Sequence, residues 1–239
     1  MILAQLADPQ IGFQNYEAEL QRFRNEINLI QQSDCQVAVI CGDLMHHVNR
    51  ESLEVYLQEL KKLTIPVYHV PGNHDTGSVE GCAAYKDLIG PLYYAVDLPD
   101  PAYRLIILDT SLWMEGGDPV EGEKMEHFFL HELASGKKII IASHVPVFAE
   151  NPDEDETYFN LPVDRRKWLL PLLKQYAVSA WLSGHTHTAF TYTLNGTLFS
   201  ASETTSVAFD GINFGFRRFV FDGDLIYYRT IVVKDPANP

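Results

Sequence analysis

Cysteine is scarce in this chain: Cys35, Cys41 and Cys82 are the only three in 239 residues, unevenly spaced and without a CxxC pair. That number and spacing exclude a disulfide framework and offer no zinc or thiol-redox motif, so the three are expected as reduced thiols. Long apolar runs are missing as well. No stretch of about 18 apolar residues occurs, which leaves no candidate membrane-spanning helix. The opening residues 1–7 have neither a basic run nor the length of a signal h-region, and a cytoplasmic protein is the expectation. Positive charge is also short: 18 Lys and Arg against 32 Asp and Glu give a formal net charge of −14. Polyanions are held by clustered basic side chains, so nucleic-acid and anionic-membrane partners are not expected. A phosphate-bearing substrate would then need another source of neutralising charge, and metal ions are the candidates. No linker, low-complexity tract or internal repeat interrupts the sequence, so residues 1–239 are expected to form a single domain.

What is present is ample material for a core, 46% hydrophobic and 12% aromatic, laid out as alternating strand and helix patterns. Residues 2–7 read as a buried strand, and Leu20, Phe23, Ile27 and Ile30 follow at helical spacing. Residues 37–41 read as a second strand, Asn49 as the N-cap of a helix carrying Leu53, Leu57, Leu60 and Leu63 inward, and a third strand starts at Ile65. This β-α-β-α-β order predicts a parallel sheet with right-handed crossovers. Ser78 caps a short helix to about Ile89, and residues 92–98 and 103–109 form two strands joined at Asp100-Pro101. Asp118-Pro119 opens a helix with Phe128, Phe129 and Leu133 on its apolar side. Residues 138–143 and 178–183 are further strands, separated by a helix near Asp164 to Gln175. Asn195-Gly196 and Asp222-Gly223 are hairpin signals, so the last third is expected to be antiparallel.

Five of these strands end in polar groups: Asp8, Asp43, Asn73-His74-Asp75, His144 and His185-x-His187. Singly, each could be an ordinary turn or a satisfied structural histidine. Jointly they would crowd the carboxyl ends of the strands, where open α/β sheets place their ligands. Carboxylate, amide oxygen and imidazole form a ligand set for Mn, Fe or Zn. Asp43 is the carboxylate expected to lie between two ions about 3.5–4 Å apart, and such a pair lowers the pKa of a bound water for in-line attack on phosphorus.

The ordered set Asp8-x-Gln10, Gly42-Asp43-x-x-His46, Gly72-Asn73-His74-Asp75, His144 and Gly184-His185-x-His187 resembles the calcineurin-like metallophosphoesterase family from about residue 8 to residue 187. Asp8-Pro9-Gln10, residues 144–161 and Ser183-Gly184-His185-x-His187 look closest to its calcineurin-like phosphoesterase domain-containing subgroup, some members of which are protein serine/threonine phosphatases. The resemblance implies an α/β, mixed α+β, architecture: a four-layer αββα sandwich of two mixed sheets flanked by helices. It also implies two divalent or trivalent metal ions (Mn, Fe or Zn), one held by Asp8, Asp43 and His187 with Gln10 at the edge, the other by Asp43, Asn73, His144 and His185. By the same resemblance His74 is the general acid or phosphate contact, Asn73 also faces substrate, and Asp75 orients the loop.

Two departures from the family pattern stand out. Gln10 occupies a position where the family usually has His, which implies a weaker, harder first metal site. His46-His47 occupies a position where calcineurin-like protein phosphatases have Asp-Arg, so His46 is a candidate to approach the metals or substrate and His47 to supply part of the phosphate contact, with a solvent-exposed His47 as the alternative. The acidic residues 153–156 are either a solvated loop or a rim that admits basic peptides. Trp113, Met114 and Tyr158 could line a groove but are left unassigned. The leading expectation is hydrolysis of phosphomonoesters, on a phosphorylated small molecule or a phosphoprotein such as one carrying phosphoserine or phosphothreonine. A phosphodiesterase acting on cyclic nucleotides is the runner-up, and a non-catalytic binding module is the alternative of a different class.

Overall fold

The computed structural model describes residues 1–211 and 213–235. Two mixed sheets lie face to face. The first has the order β11 (Leu225–Val233), β10 (Phe214–Asp222), β1 (Ile2–Leu6), β2 (Val37–Cys41), β3 (Val67–Val70). The second runs β4 (Tyr94–Asp97), β5 (Tyr103–Ile107), β6 (Lys138–Ala142), β7 (Ala180–Ser183), β9 (Thr197–Ala201), β8 (Phe190–Leu194). Strands β1, β2 and β3 pair in parallel through crossover helices α1 (Tyr16–Gln31) and α2 (Arg50–Leu60), and β5, β6 and β7 do so through α5 (Pro119–Leu133) and α6 (Val163–Gln175).

Alternation along the strands builds the layers. Leu3, Val37, Val39, Leu105, Ile107, Ile140 and Leu182 face the gap between the sheets. Their neighbours Ala4, Leu6, Ala38 and Ile40 face α1, α2 and α4 (Val79–Leu88), which follows the one-turn α3 (Asn73–Thr76), and Ile139, Ile141 and Trp181 face α5 and α6. The result is the expected αββα sandwich. Polar side chains cross its middle: Gln5 of β1 donates through Nε2 to the carbonyls of Ser183 (2.8 Å) and Ser200 (3.0 Å) and accepts from Ser200 Oγ at 2.8 Å, and Arg217 of β10 donates to the Phe190 carbonyl at 2.7 Å.

The helix starts follow their capping chemistry. Asn49 and Ser52 form a reciprocal capping box at α2, Ser78 Oγ accepts from Gly81 N–H at α4, and Asp118 accepts from Val120 and Glu121 N–H ahead of Pro119. One expectation needs correction. The last third is not wholly antiparallel: β8 and β9 form the Asn195-Gly196 hairpin and β10 and β11 the Asp222-Gly223 hairpin, but β9 runs parallel to β7. Sheet partnering beyond the hairpin is a long-range choice that local turn signals do not reveal. Among the described residues no helix is long and apolar enough to cross a membrane.

Candidate active site

The carboxyl ends of β1, β2, β3, β6 and β7 meet at one edge of the sandwich. Asp8, Asp43 and Asn73 arrive from the first sheet, and His144, His185 and His187 from the second. The backbone is bent sharply to bring them in. Of the seven non-glycine residues with positive φ among those described, five are Asp8 (49°), Gln10 (32°), Asp43 (51°), His185 (69°) and His187 (50°). Such conformations are sparsely populated for L-residues and persist at functional sites where surrounding structure enforces them. Close approach is enforced by glycine too: a Cβ on Gly72 would overlap Asp43 Oδ1, and one on Gly184 would lie 2.6 Å from Asp8 Oδ2.

Asp43 stands at the centre. Its Oδ1 accepts from His74 N–H at 3.0 Å and lies 3.4 Å from His144 Nε2, while Oδ2 accepts from Gln10 Nε2 at 3.2 Å. One carboxylate thus touches two groups of side chains. Asp8, Gln10 and His187 lie on one side, with His187 Nε2 3.8 Å from Asp8 Oδ1. Asn73, His144 and His185 lie on the other, where Asn73 Oδ1 and His185 Nδ1 each sit 3.1 Å from His144 Nε2. One ligand atom each from Asp43, His144 and His185 falls within 4.8 Å of the others, a set able to hold a metal ion.

Backbone carbonyls fix the imidazoles. His144 Nδ1–H donates to Cys41 O (2.8 Å), His185 Nε2–H to Tyr158 O (2.8 Å) and His187 Nδ1–H to Val207 O (2.7 Å). Each bond selects the tautomer and turns the other ring nitrogen inward, the outer-shell arrangement typical of metal-binding histidines. Gln10 Oε1 is buried without a hydrogen-bond partner, an acceptor that a cation would satisfy. The carboxylates draw positive charge into the centre. Burial pushes Asp8 up to about 6 against the pull of His187 and His144. Burial works against a charged His144, but the Asp43 and Asp8 carboxylates outweigh it and push that imidazole up to about 10. Burial and His144 together push His185 down to about 3, so it stays neutral. With the extra proton of His144 displaced, the donor set of Asp43, His144 and His185 fits a divalent cation.

The remaining expected residues divide. His74 lies at the centre's rim, its Nδ1–H donating to the backbone carbonyl of His46 at 3.0 Å. The His46 side chain itself packs between Phe13 and His74, centroids 5.0 and 4.8 Å away, and forms no hydrogen bond to Asp43 or His74 among the described residues. The His46 peptide, not its imidazole, partners His74. His47 is exposed and packs edge-on against His46. Asp75 is fully buried, with its two oxygens accepting from Leu44 and Gly72 N–H (3.0 and 2.7 Å), bonds that tie together the loops after β2 and β3. Burial, reinforced by Asp43, pushes it up to about 8.

The acidic loop is neither a free surface run nor a uniform rim. Glu154 accepts from the N–H groups of Ala149, Glu150 and Asn151 and from Asn160, acting as the loop's internal anchor. Asp153 turns toward α6, and Glu156 lines a cavity of about 950 Å³. That cavity borders Asn73 and His185 and also takes in Met114, Tyr158 and Asp109. Trp113 is buried in the core beside Phe129 and Trp168. Sequence reasoning passed over Asp109, a sixth polar strand end two residues after β5. The same rule that found the other five would have found it. Tyr158, unassigned from sequence, accepts from Asn73 Nδ2 through its hydroxyl at 3.2 Å and packs its ring on His185.

Residues 1–189 match the family model described as calcineurin-like phosphoesterase. The zebrafish (Danio rerio) protein named "Serine/threonine-protein phosphatase CPPED1" is 25% identical over 77% of this chain and 69% of its own length. The chain spans about half the length of the mammalian proteins of that name, 52% for the mouse (Mus musculus) one. A Coxiella burnetii protein named "Probable cyclic nucleotide phosphodiesterase CBUA0032" is 25% identical over 85% of this chain and 82% of its own. Among solved structures, a dimetal phosphatase from Danio rerio superposes with a TM-score of 0.74 at 16% identity, covering 96% of this chain and 95% of that one.

Proposed function

The chain belongs to the calcineurin-like phosphoesterase family, and on that premise we propose that residues 1–239 form one dinuclear metal-dependent domain that hydrolyses phosphomonoesters. The observation that carries this reading is the position of Asp43, whose two oxygens face the two ligand groups. Asp8, Gln10, Asp43 and His187 would hold one ion and Asp43, Asn73, His144 and His185 the other, with Mn, Fe and Zn the candidates for this donor set. When bound, the pair supplies an acidified water and positive charge opposite the phosphoryl oxygens. His74, with Nδ1–H tied to the His46 carbonyl, keeps Nε2 available to hold a proton for the leaving oxygen. Asn73 and His74 would both border the phosphoryl group.

The substrate on this reading is a phosphorylated small molecule or a phosphoprotein, in keeping with the relatives named as serine/threonine phosphatases. The net charge of −14 disfavours nucleic acid or an anionic membrane, and three unpaired cysteines accord with a cytoplasmic setting. A phosphodiesterase is the second reading, favoured by the Coxiella relative that matches over most of both chains. Turnover of p-nitrophenyl phosphate against bis-p-nitrophenyl phosphate with added Mn separates the two. A clear preference for the monoester, abolished in His74→Ala, is the expected outcome. Turnover undiminished in His74→Ala would remove the catalytic assignment.

A further inference from the structure

Tyr158 is 61% exposed, yet it is one of the most tightly engaged groups around the centre. Its carbonyl accepts from His185 Nε2 at 2.8 Å, its ring lies 4.6 Å from the His185 ring, and its hydroxyl oxygen accepts from Asn73 Nδ2 at 3.2 Å. The hydroxyl proton has no acceptor among the described residues. The backbone beneath it is held firmly: Glu154 gathers three N–H groups, Asn160 bridges Glu154 and the Asp155 carbonyl, and the buried Arg166 donates to the carbonyls of Pro152 and Glu154. A phenol on an anchored loop, with its proton free and its ring resting on a metal-site histidine, is a preorganised donor.

The cavity shows what that donor would meet. Its wall includes Asn73, His185 and Tyr158, carboxylates at Asp109, Glu115, Asp118, Glu121 and Glu156, and a single basic side chain, the exposed Lys86. No guanidinium lines it. Apart from the metal pair and Lys86, phosphoryl oxygens on this side would depend on neutral hydrogen-bond donors of the lining. We infer that Tyr158 Oη–H donates to a non-bridging phosphoryl oxygen of the substrate, making Tyr158 a catalytic residue. This rests on the phosphomonoester reading.

Tyr158→Phe tests it, because the ring and the backbone carbonyl to His185 stay in place. At saturating Mn, kcat/KM for p-nitrophenyl phosphate should fall by about 100-fold, the usual cost of losing one donor of this kind. The inhibition constant of inorganic phosphate should rise by about tenfold, with metal content per chain unchanged. Values of both constants within twofold of wild type would overturn the inference. So would full recovery of activity with excess Mn, which would reduce the hydroxyl to a support for Asn73. Direct calorimetric binding of inorganic phosphate to the Mn-loaded protein keeps the two readings apart. If the wild-type chain turns over no phosphomonoester, the functional reading fails by itself, while unequal phosphate affinity of wild type and Tyr158→Phe still decides the role of the phenol.

Discussion

His74 Nδ1 and the backbone oxygen of His46 are 3.0 Å apart, so the orientation of the proposed proton donor is set by a peptide group and not by the neighbouring imidazole. Removing the His46 side chain leaves that carbonyl in place. In His46→Ala, kcat on p-nitrophenyl phosphate should fall by less than about tenfold, whereas His74→Ala should lose about 10²–10⁴-fold, the span of general acid catalysis. Steady-state kinetics at saturating Mn checks both. A loss in His46→Ala equal to that in His74→Ala would restore the imidazole as the true partner.

Gly72 has no room for a side chain beside Asp43 Oδ1. Gly72→Ala should displace Asp43, cost about 1–3 kcal/mol of stability and reduce bound metal well below two ions per chain. Gly122→Ala is the contrasting control: that glycine lies within α5 and an added Cβ meets Leu112 O at an ordinary 3.4 Å. It should stabilise by about 0.5–1 kcal/mol, the helical penalty of glycine. Thermal melts and elemental analysis report on the pair.

Gln10 reaches the centre with only a neutral amide, its Oε1 unpartnered and its Nε2 given to Asp43 Oδ2. Gln10→His should raise measured metal toward two ions per chain and tighten the first site. The same metal at the same occupancy would show that residue 10 does not set affinity.

Glu26 lies on α1 at 1% exposure, with Oε1 lacking a hydrogen bond. Burial, with Glu203 adding to it, holds this carboxyl well above the usual range. The folded state therefore binds the proton more tightly than the unfolded state. The contribution to stability is full below about pH 4.5 and is lost as pH rises through the raised folded value. Glu26→Gln should melt higher than wild type at pH 8 by several degrees, since about 1 kcal/mol corresponds to roughly 2–4 °C in a chain of this size. The difference should shrink toward pH 4.5. A wild-type melt that does not decline between pH 5 and 8 relative to the variant would contradict this.

Metal removal should be visible in stability. Exhaustive chelation should lower the melting temperature, and Mn at about 100 times its dissociation constant should restore about 2.7 kcal/mol per site. Absence of any shift with Mn, Fe and Zn would count against a resident metal pair.

Much of this arrangement was legible in the sequence for a physical reason. A buried strand that ends in Gly-Asp, Gly-Asn-His-Asp or Gly-His-x-His advertises itself, because apolar runs stop abruptly and glycine admits the close backbone approach seen at Gly72 and Gly184. Caps at Asn49, Ser78 and Asp118 were equally local. What could not be read were the long-range relations. That His46 serves through its carbonyl, that Glu154 folds its own loop, and that Thr197–Ala201 joins β7 in parallel all depend on which groups tertiary structure brings together. Tyr158 belongs to the same class: 85 residues separate it from the Asn73 it touches.

The candidate centre is shared between the two sheets, with Gln5 stitched across the gap just behind it. An ion seated between Asp8 or Asp43 and the histidines of the second sheet would act as a rivet. Its affinity would then serve as a gauge of how well the halves are seated. Substitutions that shear the sandwich by a fraction of an ångström would be felt first as leakage of metal, while the strands and helices themselves remain intact.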